Sequence, residues 1–110
     1  MAKIAIIGGT GLYRMEGFVA GDERWIETPY GEPSAPVHLG GLQGHTVAFL
    51  CRHGVPHRIP PHRVNYRANL WALHSVGVRQ VFAVAAVGGI GAQCGPGRIV
   101  VPDDGDLVYP

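Results

Sequence analysis

The stretch Thr46–Leu73, TVAFLCRHGVPHRIPPHRVNYRANLWAL, decides how the rest of the chain is read. Its apolar opening, Val47 to Leu50, reads as a strand that delivers Arg52 and His53 at its carboxyl end. From Arg52 to Arg67 the chain holds four arginines (Arg52, Arg58, Arg63, Arg67) and three histidines (His53, His57, His62), with no Asp or Glu among them. The acid-free region is longer still, bracketed by Glu32 and Asp103. Cations without local counter-ions await an anion from outside, and the guanidinium fork is the side chain best shaped for phosphate or carboxylate. In open α/β sheets ligands bind at the carboxyl ends of the strands. The stretch therefore predicts an α/β fold with an anion site at a sheet edge. Beyond Gly54, Pro56, Pro60 and Pro61 forbid regular helix. A helix is expected from about Val64 to Val76, stopping at Gly77, with Ala68, Trp71, Ala72 and Val76 sharing a buried stripe flanked by Leu70 and Leu73.

Upstream, Lys3 to Ile7 reads as a buried strand running directly into Gly8-Gly9-Thr10-Gly11. Glycines at a strand end let the backbone turn and point N–H groups at an anion, and Thr10 adds a hydroxyl donor. Trp25 to Thr28 suggests a short strand before the turn residues Thr28 to Pro33. Val37 to Leu42 and His45 to Cys51 suggest two strands of a hairpin turning at Gln43-Gly44. Downstream, Val78 to Val87 is almost wholly apolar and is expected to be a strand buried on both faces, ending at Gly88 to Gly91. Gly97 to Pro102 reads as one more short strand. If the strands before GGTG, Arg-His-Gly and GGIG lie parallel, their three loops meet on one edge. A cradle of Gly8 to Gly11, Arg52, His53 and the backbone near Ala85 to Gly89 would suit a dianion. The plainer alternative is that each glycine loop is a tight turn and Arg52 a surface charge. GGTG also opens dinucleotide-binding domains, which makes an NAD(P)-binding reductase the rival reading. That fingerprint requires a following helix and a third glycine near position 14, where this chain has Arg14.

Composition narrows the partners. At 110 residues the chain is one domain at most, and it can bury roughly two-thirds of its unfolded surface. The formal charge of +1 offers no global attraction for nucleic acid or an acidic membrane, and the Arg/His cluster lacks interleaved aromatics and lysine runs. Charged residues are 15% of the chain, against roughly 25% in an average soluble protein. With 46% hydrophobic residues, the chain is expected to pack against sister subunits or further sequence. Its apolar runs are too short to span a bilayer, and its amino-terminal apolar run reads as a strand and not as a signal peptide, which points to the cytoplasm. Cys51 and Cys94 have no CxxC spacing and read as reduced thiols. His53, His57 and His62 have no recognised zinc spacing, so no metal is expected.

The segments IAIIGGTG, TPYGEPSAP, FLCRHG, HRVNYRANLWAL and AVGGI before PGRIVVPD occur in an order and spacing that resemble the methylthioadenosine and methylthioinosine phosphorylases. These form part of the trimeric branch of the purine nucleoside phosphorylases, and the likeness runs from Ala2 to about Asp103. NYRANLWAL and AVGGI look closer to the methylthioinosine-type members. The resemblance implies an α/β fold with a mixed β-sheet flanked by helices. It implies phosphorolysis of a 5′-methylthio-purine ribonucleoside to free purine and 5-methylthioribose 1-phosphate, in purine salvage. No cofactor is implied, inorganic phosphate being a co-substrate, and the full-length form would be a homotrimer. Gly8, Thr10, Arg52 and His53 match phosphate-binding positions of the family, and Ala86 matches one that uses its backbone N–H. Ala85 falls where the family usually carries Thr or Asn, so a polar contact to phosphate or sugar is lost there. Family members are longer, and their base-binding and base-protonating residues lie beyond the span matched here. Residues 1–110 therefore read as the N-terminal half of a single nucleoside phosphorylase domain, a truncated chain holding the phosphate half-site and no catalytic acid. A non-catalytic, phosphate-binding chain is the accompanying alternative.

Overall fold

The computed structural model describes residues 2–9, 16–86 and 89–101. Five strands form one mixed sheet: β1 (Ile4–Gly8), β2 (Phe18–Arg24), β3 (Val37–Leu42), β4 (His45–Cys51) and β5 (Gln80–Ala83), in the order β2-β3-β4-β1-β5. β3 and β4 form the expected antiparallel hairpin, with Leu42 opposite His45. Gln43 and Gly44 turn it with φ of 50° and 80°, the two positive values that a two-residue hairpin loop of the right twist requires. β1 lies parallel to both β4 and β5. Gly8 is opposite Cys51 and Ile7 is opposite Ala83, so three carboxyl ends meet on one edge, as the sequence predicts.

One face of the sheet carries Ala5 and Ile7 (β1), Val37 and Leu39 (β3), and Ala48 and Leu50 (β4), by the alternation of successive side chains. The helix α1 (Tyr66–Ser75) covers it with Ala72 and Leu73, completing the core with Ala2, Ala35 and Val78. The buried residues of α1 are Ala68, Asn69, Ala72 and Leu73, and this corrects the expected stripe: Trp71 and Leu70 face outward, 38% and 51% exposed. Ala72 and Leu73 join the core against the sheet, while the Trp71 indole is left partly exposed. The opposite face carries Phe18, Phe49 and Val47, and the rings of Phe18 and Phe49 meet edge-on at 4.5 Å. Gly40 makes this possible, because a Cβ there would overlap the Phe18 ring.

Three further expectations are corrected. The early strand lies at Phe18–Arg24 and not at Trp25–Thr28, where a single bridge joins Thr28 to Gly31. β5 spans only Gln80–Ala83 and is exposed throughout, with Phe82 at 58%, because among the described residues it is the last strand of the sheet and no layer covers its faces. Ile99 to Val101 form no strand and are exposed; Pro102, which closes the expected strand, lies outside the described residues.

Candidate functional site

Arg52 and His53 are the two central residues of a turn in which the Gly54 amide donates to the Cys51 carbonyl (3.1 Å). The turn begins on the last residue of β4, so its position is set by the parallel pairing of β4 with β1. The Arg52 amide continues that ladder by donating to the Gly8 carbonyl (3.0 Å), and the Val84 amide does the same on the other side, donating to Ile7 (2.8 Å). The Arg52 guanidinium then reaches across the carboxyl ends of β1 and β5. Its Nη2 donates to the carbonyl of Val84 (3.0 Å) and more weakly to that of Ile7 (3.4 Å). One arm of the fork is thus anchored on the sheet while the side chain stays partly exposed.

His53 is held as firmly. Its Nδ1 lies 2.8 Å from the Ile59 carbonyl. A carbonyl only accepts, so Nδ1 carries the proton, and Nε2 is left to accept when the ring is neutral or to donate when it is charged. The amides of Arg58 and Ile59 both donate to the His53 carbonyl (2.9 Å each), which folds the loop back beneath the turn. The ring of His57 stacks on that of His53, with centroids 4.5 Å apart and planes 16° from parallel. Among the described residues no carboxylate pairs with Arg52, His53 or Arg58; the two ion pairs, Arg24–Asp22 and His38–Glu23, lie on β2 and β3.

The structure therefore brings together Gly8, Arg52, His53 and the segment that carries Ala85 and Ala86, since β5 ends at Ala83 and Arg52 bonds to Val84. Ala85 and Ala86 follow, exposed and outside any strand or helix. Thr10, with Gly11, lies outside the described residues, as do Val87 and Gly88. The arrangement offers a cation in a fixed fork, an imidazole and strand-end backbone at one edge, which suits an oxyanion. Among the described residues no group of three His, Cys, Asp or Glu is placed to hold a metal. Cys51 is buried and Cys94 is partly buried, and neither is in a disulfide among the described residues. No helix among the described residues is long and apolar enough to cross a membrane. A separate groove of about 450 Å³ lies along the outer face of α1, lined by Tyr30, Arg67, Leu70, Trp71 and His74.

What sequence reasoning missed is the set of polar residues behind the turn. Asn65 caps α1, its side chain accepting from the Ala68 amide (3.1 Å) and donating to the Tyr30 carbonyl (2.9 Å). One helical turn later, Asn69 accepts from the Ser34 amide (2.8 Å) and donates to the Ser34 hydroxyl (3.0 Å). Asparagines four apart at a helix start were the available signal, since that spacing places both on one face.

A mixed sheet with Gly8, Arg52 and His53 at its parallel strand ends defines an α/β domain with a candidate oxyanion site at that edge. The chain belongs to the phosphorylase superfamily, whose family model matches residues 3–109. It is 56% identical over 102 residues to the S-methyl-5′-thioadenosine phosphorylase of Mycolicibacterium smegmatis, covering 91% of this chain and 38% of that one. It is 51% identical over 104 residues to a probable S-methyl-5′-thioinosine phosphorylase of Pseudomonas syringae, covering 94% of this chain and 42% of the relative. The chain thus spans about two fifths of the length of the curated relatives it matches. Its fold is similar to the crystal structure of a methylthioadenosine phosphorylase from an antarctic soil metagenomic library, with a TM-score of 0.70, 55% identity, and coverage of 74% of this chain and 29% of that one.

Proposed function

We propose that this chain forms the phosphate-holding part of a phosphorylase that cleaves 5′-methylthio-purine ribonucleosides to free purine and 5-methylthioribose 1-phosphate. The observation that carries the reading is the Arg52 fork, anchored on the Ile7 and Val84 carbonyls with no carboxylate partner among the described residues, at the edge where Gly8 and His53 also lie. Arg52 supplies charge, His53 a hydrogen-bonding nitrogen, Gly8, Ala85 and Ala86 backbone, and Thr10 a hydroxyl. In the reaction a phosphate oxygen bonds to the anomeric carbon as the bond to the purine nitrogen breaks, its electron pair leaving on the base. The sugar is cationic at the transition state, and a phosphate held against it both stabilises that charge and captures it. Phosphate is a co-substrate, and no cofactor or metal takes part. The groups that bind and protonate the base are assigned to the part of the relatives that this chain does not span, so residues 1–110 are read as the N-terminal half of a single domain. The exposed apolar residues of β5 and of Ile99 to Val101 support burial against such further sequence or sister subunits, with a cytoplasmic homotrimer as the full-length form.

The dinucleotide alternative is disfavoured by topology. β2 lies at the far edge, antiparallel to β3, so β1 and β2 do not form the βαβ unit a dinucleotide fingerprint requires. The non-catalytic alternative keeps the same anion site. The test is inorganic phosphate binding by calorimetry alongside phosphate-dependent purine release from methylthioadenosine and methylthioinosine. Loss of charge-assisted bonds of about 1.5–3 kcal/mol in Arg52→Ala predicts binding weaker by roughly 10- to 150-fold. Binding with turnover supports the enzyme, and the preferred nucleoside names it. Binding without turnover supports the phosphate-holding chain alone. Absence of binding by the unsubstituted chain overturns the proposal.

A further inference from the structure

We propose that Asn69 is a positioning residue for the anion site, acting through Ser34 on the turn that carries Arg52 and His53; this rests on the phosphate reading above. Asn69 and Ser34 are 1% and 2% exposed, the two buried polar residues of the described chain. Both ends of the Asn69 amide engage the same serine, one on its backbone N–H and one on its hydroxyl. Two bonds to one residue fix its orientation as well as its place. The segment they hold, Pro33 to Ala35, is buried, and its Ser34 carbonyl lies against Gly54. A Cβ on Gly54 would stand 3.2 Å from that carbonyl oxygen and 3.3 Å from Cγ and Nε of Arg58. Gly54 closes the turn with a φ of +82° and its amide on Cys51. The Ser34 carbonyl and the Arg58 stem therefore both close off the face of Gly54 on which a Cβ would stand, and the Ser34 strap confines the turn there.

The coupling follows from packing. Where Ser34 is loosened, the wall against Gly54 is removed and Arg52 and His53 gain freedom that an anion must then restrain. An apolar core side chain at position 69 would stabilise the helix equally well without specifying where the strap sits. A buried amide, which is costly to leave unpaired, specifies one position.

The experiment measures inorganic phosphate affinity by calorimetry on the whole chain, well below each variant's melting temperature, with Tm recorded separately. The variants are Asn69→Leu, Ser34→Ala and Ser34→Thr. Asn69→Leu is expected to bind phosphate about tenfold more weakly, Ser34→Ala less so, and Ser34→Thr, which keeps the hydroxyl, nearly as the unsubstituted chain does. Amide NMR shifts of Arg52 and His53 are expected to move in the first two and not in the third. A lower Tm with unchanged phosphate affinity and unmoved shifts would show Asn69 to be a core residue only and would overturn the inference. If Asn69→Leu does not fold, Ser34→Ala decides alone, since it keeps the backbone bond. An unsubstituted chain that binds no phosphate overturns the phosphate reading and this inference together, whereas one that binds, with variants that bind equally, overturns only this inference.

Discussion

Replacing Gly54 by alanine is expected to destabilise the chain by about 2–3 kcal/mol and to weaken phosphate binding. Two contributions can be separated because the fold supplies a control. Gly44, in the hairpin turn, has a φ of +80° and open space where a Cβ would stand. Gly54 has nearly the same φ, +82°, but its added Cβ would meet the Ser34 carbonyl and Arg58. The left-handed backbone costs an L-residue roughly 1–2 kcal/mol, and this is common to both sites. Contacts of 3.2–3.3 Å on a backbone oxygen and a side-chain stem demand a shift of a few tenths of an ångström, adding about 1 kcal/mol, the low end of overpacking costs. Gly44→Ala is then expected to lower Tm by about 4–15 °C and Gly54→Ala by about 4–8 °C more, at roughly 4–8 °C per kcal/mol for a domain of this size. Urea unfolding of both variants, with phosphate calorimetry on each, measures the two contributions. Equal losses in stability, or equal phosphate affinities, would refute the claim that the strap confines the turn.

Two further outcomes follow from single contacts. Asn65→Ala removes the α1 cap and the bond to Tyr30, and is expected to cost about 1–2 kcal/mol in thermal unfolding. Phe82→Ser, on the exposed edge strand, is expected to change stability by less than about 0.5 kcal/mol while reducing self-association in sedimentation velocity. A large loss of stability there would mean that Phe82 is covered in solution.

Local chemistry made part of the fold legible. The β3–β4 hairpin follows from alternation on either side of a Gln-Gly turn whose positive φ values no distant contact needs to impose. β1 follows from a short apolar run stopped by glycines, and the Arg-His turn from its place at the end of β4. Elements whose definition depends on neighbours are not legible in the local sequence. The Val78–Val87 run has the composition of a buried strand, yet burial needs a second neighbour and a covering layer, and within the described residues β5 has neither. α1 is apolar on more than one side, so periodicity could not choose between the face with Trp71 and the face with Asn69. The packing of the core against the sheet chose Ala72 and Leu73 and left Trp71 partly exposed.

By itself, then, the sequence determined the chemistry: an acid-free Arg/His segment between glycine-rich strand ends, and the motifs of the phosphorylase superfamily. These depend on residue type and local order, which the chain carries before it folds. The tertiary structure alone decided which backbone atoms the Arg52 fork grips and which strand stands at the edge. It also decided that Asn69, a residue of ordinary surface type, lies buried against Ser34, 35 positions earlier in the chain. Such pairings join residues far apart in the chain, and a buried amide becomes affordable only when a specific partner arrives to satisfy it.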